Sequence, residues 1–179
     1  MRITRLGPED AAAYRLLRLE SLREDPLGYA SAHEDEAEQP LDWFAATLAR
    51  DAVFVASGEA SDLVGMVGFR VDAMHRRRHV GYIWGMYVRR SHRGQGLGAP
   101  LIEAAIAHAG GHVTMLQLAV GAANPAAVRL YTRAGFTIYG TEIGSLLHAG
   151  VAYDSHLMVL NLAGSGHLVP AGGRIAPGR

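Results

Sequence analysis

The residues Val88-Arg89-Arg90-Ser91-His92-Arg93-Gly94-Gln95-Gly96-Leu97-Gly98 carry the clearest chemical signal of the chain. An apolar run ends at Val88. A basic, glycine-dense turn follows, and a helical pattern with Leu97, Leu101, Ala104, Ala105 and His108 then begins. Small residues in such a turn let backbone N–H groups approach an anion closely, and the emerging helix end adds unpaired donors and a favourable dipole. Arg93 adds a planar cation matched to phosphate oxygens. The stretch reads as a cradle for a diphosphate.

Two glycine patterns fit it. Gly94-Gln95-Gly96-Leu97-Gly98-Ala99 matches G-x-G-x-x-A, the fingerprint of dinucleotide sites. That reading wants an acidic residue roughly 20 positions on to hold a ribose. Residues Val113 to Ala123 contain no Asp or Glu, and the turn follows several strands rather than opening the fold. Both points count against a nicotinamide or flavin enzyme. No Gly-Lys-Ser/Thr follows the turn, which excludes a Walker A loop. The second pattern is Arg-x-x-Gly-x-Gly, carried by Arg93, Gly96 and Gly98.

The elements that position this turn follow from periodicity and punctuation. Ile3 to Leu6 reads as a first strand, and Gly7-Pro8-Glu9-Asp10 as a helix start with Pro in the first turn. That helix presents Tyr14, Leu17 and Ser21 on one face and stops before Asp25-Pro26. Leu41 to Leu48 is a second helix. Val53 to Ser57 and Leu63 to Val71 alternate as strands around a turn at Gly58 to Asp62. His79 to Val88 reads as a central strand, with Val80, Tyr82, Trp84, Met86 and Val88 on one face. Gly81 and Gly85 fall on the other, where a bulge or close backbone approach is expected. Pro100 fits the first turn of the next helix, which stops at Gly110-Gly111. Val113 to Val120 is nearly all apolar, as for a strand covered on both faces. Asn124-Pro125 is a sharp helix start. The helix it opens carries Ala127, Leu130, Tyr131 and Ala134 on one face and closes at Gly135. Phe136 to Gly140 and Ala152 to Leu162 complete the strands. The order predicts one mixed α/β domain over 1–162, helices covering a sheet of about seven strands, and a flexible Gly/Pro-rich tail over 163–179.

Composition excludes several classes. The 179 residues suit one buried domain, and 49% hydrophobic with 19% charged residues suits a globular protein. Formal net charge is zero, which gives no global pull toward nucleic acid or an anionic membrane. There is no cysteine, hence no disulfide, thiolate metal site or cysteine nucleophile. The nine histidines are scattered without metal-ligand spacing, so no metal is expected. The first residues lack a signal-peptide pattern and no apolar run reaches spanning length, so the expected setting is cytoplasmic.

The Arg-x-x-Gly-x-Gly turn and the strand before it resemble the coenzyme A site of the GCN5-related N-acetyltransferase (GNAT) family. Met86-Tyr87-Val88 resembles the end of that family's fourth strand. Leu118-Ala119-Val120, Asn124, Ala127 and Leu130-Tyr131 through Gly135-Phe136 resemble its following strand, helix and strand start. The match covers roughly Tyr82 to Phe136. It implies the acyl-CoA N-acyltransferase fold, a mostly antiparallel twisted sheet, with acetyl-CoA as co-substrate. Backbone groups of Met86, Tyr87 and Val88 would then pair with the pantetheine arm. The N–H groups of Arg93, Gly94, Gln95, Gly96, Leu97, Gly98 and Ala99 would hold the pyrophosphate. Asn124 is either a pure N-cap or also a pantetheine contact. A homodimer is common in the family.

The implied chemistry is direct acetyl transfer to a primary amine of a small molecule or peptide. Tyr131 matches the family tyrosine near the coenzyme sulfur and is the candidate acid for the departing thiolate; the same position also suits a core tyrosine. A backbone N–H near Val88 is the implied polariser of the carbonyl. Many relatives place a glutamate on the fourth strand, whereas Gly81 to Val88 contains no acid. Relays ending at Glu142, His148 or His156 are the remaining sources of a base. Tyr82 and Trp84 line a cleft or the core. His33-Glu34-Asp35-Glu36-Ala37-Glu38 is either an acidic rim that attracts a cationic amine or a solvated face, and Arg76-Arg77-Arg78 is a solvated loop. A non-catalytic acyl-CoA-binding domain is the alternative to an enzyme.

Overall fold

Seven strands form a single sheet in the order β1-β2-β3-β4-β5-β7-β6. The computed structural model describes residues 1–58 and 62–162. The strands are β1 (Arg2–Arg5), β2 (Ala52–Ser57), β3 (Leu63–Val71), β4 (Val80–Val88), β5 (Met115–Gly121), β6 (Thr137–His148) and β7 (Val151–Asn161). The helices are α1 (Ala11–Glu24), α2 (His33–Ala37), α3 (Leu41–Arg50), α4 (Gly98–Ala109) and α5 (Pro125–Arg133). Every neighbouring pair of strands is antiparallel except β4 and β5. This is the mixed, mostly antiparallel sheet that the family resemblance implies. The tail expected over 163–179 lies outside the described residues.

Two apolar layers sandwich the sheet, because alternate residues of each strand point to opposite faces. Tyr14 and Leu17 of α1 and Phe44 and Leu48 of α3 pack on Val53, Val55, Met66 and Tyr87. Leu101, Ile102 and Ala105 of α4 and Tyr131 of α5 pack on Ala56, Val67, Phe69, Ile83, Leu116 and Leu118.

The expected β4 face is wrong beyond Trp84. Register slips between the pairs Gly68↔Trp84 and Met66↔Tyr87, so β4 carries one extra residue, a bulge at Gly85 with φ +65°. The bulge puts Trp84 and Tyr87 in the α1/α3 layer and Ile83, Met86 and Val88 in the α4/α5 layer. Strict alternation places Trp84 with Met86 and fails at the extra residue. β5 also departs from its expected pattern. Leu116, Leu118 and Val120 are buried, whereas Ala119 is exposed, because the sheet opens beside it. β6 runs well past Gly140. Its mostly exposed residues give no apolar alternation to read.

Arg18 sits on the buried stripe of α1 between Tyr14 and Ser21. Its Nε and Nη2 donate to Glu36 of α2 at 2.9 and 2.6 Å, and both side chains are 6% exposed. The acidic run 33–38 is therefore not simply a rim or a solvated face, since one of its carboxylates is a buried counter-ion. Removing one partner of a buried pair strands the other charge. Glu36→Gln is expected to lower the unfolding free energy by about 3 kcal/mol. The double variant Arg18→Met/Glu36→Leu should recover much of that loss, as read by urea denaturation.

Candidate active site

The site begins where β4 and β5 separate. Their parallel pairing covers Val80↔Met115, Gly81↔Leu116 and Tyr82↔Gln117, and then stops. Beyond it the strands enclose a cleft of about 700 Å³, lined among others by Trp84, Gly85, Met86, Ala119, Gly121, Asn124 and Tyr131. A second cleft of about 620 Å³ lies over the glycine-rich turn, lined among others by Val88, Arg93, Gly94, Gly96, Gly98 and Ala99. Asp25, Met86, Asn124, Ala126 and Ala127 line both, so the two join through the split.

The turn has the cradle geometry. Gly94 and Gly96 have φ +77° and +79°, a left-handed backbone that penalises any side chain. Gly98 is needed for space, since a Cβ there would lie 3.0 Å from Leu130 of α5. Among the described residues, the N–H groups of Gly94, Gln95, Gly96, Leu97, Gly98 and Ala99 donate to no other protein group outside the helix. They are the unpaired donors that a helix start offers an anion. Pro100 stands in the first turn, where its missing N–H does no harm.

The Arg93 guanidinium is placed otherwise than its motif implies. Its Nε donates to the Val88 carbonyl at 2.8 Å, and its Nη2 pairs with Asp25 at the end of α1. It also lies over the Tyr87 ring, 5.8 Å from the centroid. In this conformation Arg93 braces β4 against α1, and the cradle's donors are backbone groups.

Tyr29 was not legible as a site residue. The turn Pro26–Gly28 carries it over β4, where its hydroxyl donates to the Met86 carbonyl at 3.1 Å. Burial raises its pKa to about 12. Met86 and Val88 thus each have a carbonyl that already accepts a side-chain hydrogen bond, with a second lone pair still open.

Tyr131 stands on α5 with 6% exposure, edge-on to Phe136 at 6.0 Å between centroids. It lines the β4/β5 cleft, and its hydroxyl has no hydrogen-bond partner among the described residues. Burial, and secondarily the nearby Tyr29, push the phenol pKa above its ordinary value. Asn124 caps α5 through its side-chain oxygen, which accepts the Ala127 N–H at 3.0 Å. The side-chain amide is not engaged in any described hydrogen bond.

Of the three candidate relay ends, His148 lines the cleft, while Glu142 and His156 do not. His156 Nδ1 instead lies 3.0 Å from the Thr141 hydroxyl. Glu24, Asp25, Tyr153 and Asp154 also line the cleft and were missed, since β-hairpin and loop residues reach it only through the tertiary fold. Trp84 faces this cleft. Tyr82 belongs to the opposite end of β4, where its hydroxyl donates to Asp72 at 2.9 Å and accepts from Arg77. Among the described residues no group of three or more His, Cys, Asp or Glu side chains is arranged to hold a metal, and no helix is long and apolar enough to cross a membrane.

This architecture is that of a known family. Residues 16–136 match the family model described as the acetyltransferase (GNAT) family, and the chain belongs to that family. A mycothiol acetyltransferase of Propionibacterium freudenreichii is 31% identical over 156 residues, covering 76% of this chain and 48% of that protein. The chain thus spans about half the length of that curated relative. An acetyltransferase of the GNAT family from Streptococcus pneumoniae superposes with TM-score 0.79 at 25% identity, over 89% of this chain and 98% of that one. A phosphinothricin acetyltransferase from Sinorhizobium meliloti, solved in complex with acetyl-CoA, shares the fold. Its TM-score is 0.76 at 18% identity, over 89% of this chain and 87% of that one.

The Asn124 cap gives a direct check. Asn124→Ala is expected to lower stability by about 1 kcal/mol, while Asn124→Ser keeps most of it. Denaturant midpoints of the two variants measure the difference.

Proposed function

We propose that the chain transfers an acetyl group from acetyl-CoA directly to a primary amine of a small molecule or peptide. The observation that carries this reading is the join between the two clefts. A cradle of unpaired N–H groups leads through the split between β4 and β5 to a cavity that holds a buried, unpartnered tyrosine. Gly94 to Ala99 would hold the pyrophosphate, and Met86 to Val88 would pair with the pantetheine arm as an added strand does.

Bound acetyl-CoA would supply the thioester. The amine nitrogen must reach its carbonyl neutral and aligned, so much of the acceleration comes from holding two reactants in one cleft. The C–N bond forms, the C–S bond breaks, and the thiolate must be stabilised or protonated. Tyr131 faces the cleft as an undissociated phenol, because burial disfavours phenolate. In this reading it would donate a hydrogen bond to the departing sulfur. A free N–H near Val88 would polarise the carbonyl. On the acceptor side, His148 and Asp154 line the cleft and take part in no described ion pair, which makes them the groups available to take the amine's proton through water.

Thiol release across a panel of primary amines, with acetyl-CoA binding measured in parallel, tests the reading. Tyr131→Phe is expected to lower kcat about 100-fold while acetyl-CoA still binds and the thermal midpoint is kept. The Tyr131 pKa is raised, so its proton-bearing form persists through pH 9. The neutral fraction of amine grows with pH, so kcat/KM should rise from pH 7 to 9 with no alkaline fall. An unchanged kcat in Tyr131→Phe, or binding without turnover of any amine, contradicts the proposal.

A further inference from the structure

A third cavity, of about 690 Å³, lies at the other end of the sheet, where β2 begins and β3 ends. It shares no lining residue with the two joined clefts. Its charges do not balance. The two acids that line it are already paired. Asp51 accepts from Arg50 at 2.9 and 3.2 Å, and Asp72 accepts from Arg77 at 2.7 Å and from the Tyr82 hydroxyl at 2.9 Å. Arg5, Arg70, His108 and His112 line the same cavity and enter no ion pair or side-chain hydrogen bond among the described residues.

Three of these four groups stand together. His108 is in the last turn of α4 and His112 follows one turn later, which brings the rings to 4.6 Å between centroids. Phe54 and Phe69 stand edge-on to His108, each at 5.6 Å, and hold the pair against the sheet. Arg5 is the cross-strand neighbour of Phe54, so its side chain rises on the same face. Burial first, then His112 and Arg5, hold the His108 pKa below its ordinary value. Arg5 and His112 are exposed and His108 is half-buried, so a solute reaches all three. Arg70 is different. Phe69 lies in the α4 layer, so the next residue falls on the opposite face, where Arg70 sits 5.6 Å from the Tyr82 ring centroid.

Two imidazoles this close, with an arginine beside them, carry their charges together only when a counter-ion is present. A metal does not suit them. Among the described residues no carboxylate completes a ligand set with the two histidines, and Arg5 repels a cation. An oxyanion does suit them, because a protonated imidazole has two N–H donors and a guanidinium adds a planar fork. The carbonyls that end α4 do not compete for it. Those of Ile106, His108 and Ala109 already accept from Gly110, Gly111, His112 and Val113. A group with two negative charges and several oxygens meets this set better than a single carboxylate.

We propose that His108, His112 and Arg5 form a binding site for a phosphate group, separate from the glycine-rich turn and filled more tightly as the histidines take up protons. The proposal does not depend on acetyl transfer. A bound dianion favours imidazolium, so it raises the titration midpoints of the pair, and by linkage binding strengthens as pH falls from 8 to 6. The groups that face the pair from other elements are Arg5 on β1, the Arg50–Asp51 pair before β2, Arg70 and the Asp72–Arg77 pair around the end of β3, and Tyr82 on β4. Of these residue types only histidine ordinarily titrates in that range.

The test follows the imidazole C2–H resonances of His108 and His112 by NMR, assigned with His108→Gln and His112→Gln. Saturating coenzyme A keeps the glycine-rich turn occupied. Sulfate is the probe because its charge is constant between pH 6 and 8, and sodium chloride at equal ionic strength controls for screening. Sulfate is expected to raise both midpoints by about one pH unit relative to chloride, and to bind several-fold tighter at pH 6 than at pH 8. Arg5→Gln should remove most of that rise, whereas Arg70→Gln, on the other face of the sheet, should leave it. Phenyl phosphate and inorganic phosphate are then compared at pH 8, where both are dianions. Tighter binding of the ester assigns the group to a phosphorylated compound, and equal or weaker binding assigns it to the free ion; both uphold the site. Midpoints that move no more in sulfate than in chloride, or a rise that Arg70→Gln removes as fully as Arg5→Gln, overturn it.

Discussion

Three register pairs hold β4 to β5, and the rest of the site follows from the fact that there are no more. A central strand normally pairs on both edges along its length, because a buried N–H or carbonyl without a partner is expensive. Here both strands continue past Tyr82 and Gln117 without touching, which exposes backbone groups inside the domain. The Gly85 bulge accompanies this separation by adding a residue to β4 and turning its side chains. The same irregularity directs Trp84 and Tyr87 to one layer, Met86 and Val88 to the other.

The fold supports this opening from the side. α1 ends at Glu24, and the turn after it lays Tyr29 on the Met86 carbonyl while Asp25, its C-cap, takes Arg93, which in turn holds the Val88 carbonyl. Glu20, farther up the same helix, accepts from Tyr87 at 3.1 Å and from Arg89 at 2.8 Å. On the side that β5 has left, polar contacts from α1 hold the end of β4, while β3 still pairs with it at Tyr87 and Val88. Arg18, buried against Glu36, ties the same helix to α2 behind it. Rigid elements around a reacting centre matter because small displacements of aligned reactants cost rate steeply.

Local chemistry was legible in the sequence wherever it is set by neighbours in the chain. Gly94, Gly96 and Gly98, Pro100, and the Asn124-Pro125 helix start each act within a turn or two, and each stands where the motif reading put it. Tyr131 follows from the same helix pattern. What depends on tertiary contact was not legible. Tyr29 meets Met86 across 57 residues of sequence, and the Arg18–Glu36 pair hides a cation on an apolar stripe and an acid in a charge run. The Arg93 guanidinium, assigned to phosphate by its motif, is turned onto Asp25 and Val88 because the end of α1 lies within its reach. The bulge defeats period-two reasoning by its nature, since one inserted residue exchanges the faces of everything after it. The hint lay in Gly85 itself, a glycine inside an otherwise apolar strand.

Backbone hydrogen exchange with and without coenzyme A tests most directly whether the β4/β5 split and the glycine turn are one binding channel. Coenzyme A is expected to slow exchange at Met86 to Val88 and at Gly94 to Ala99 together, with NADH at the same concentration leaving both segments unchanged. Protection confined to the glycine turn, or equal protection by NADH, would contradict a channel that runs from the cradle through the split to Tyr131.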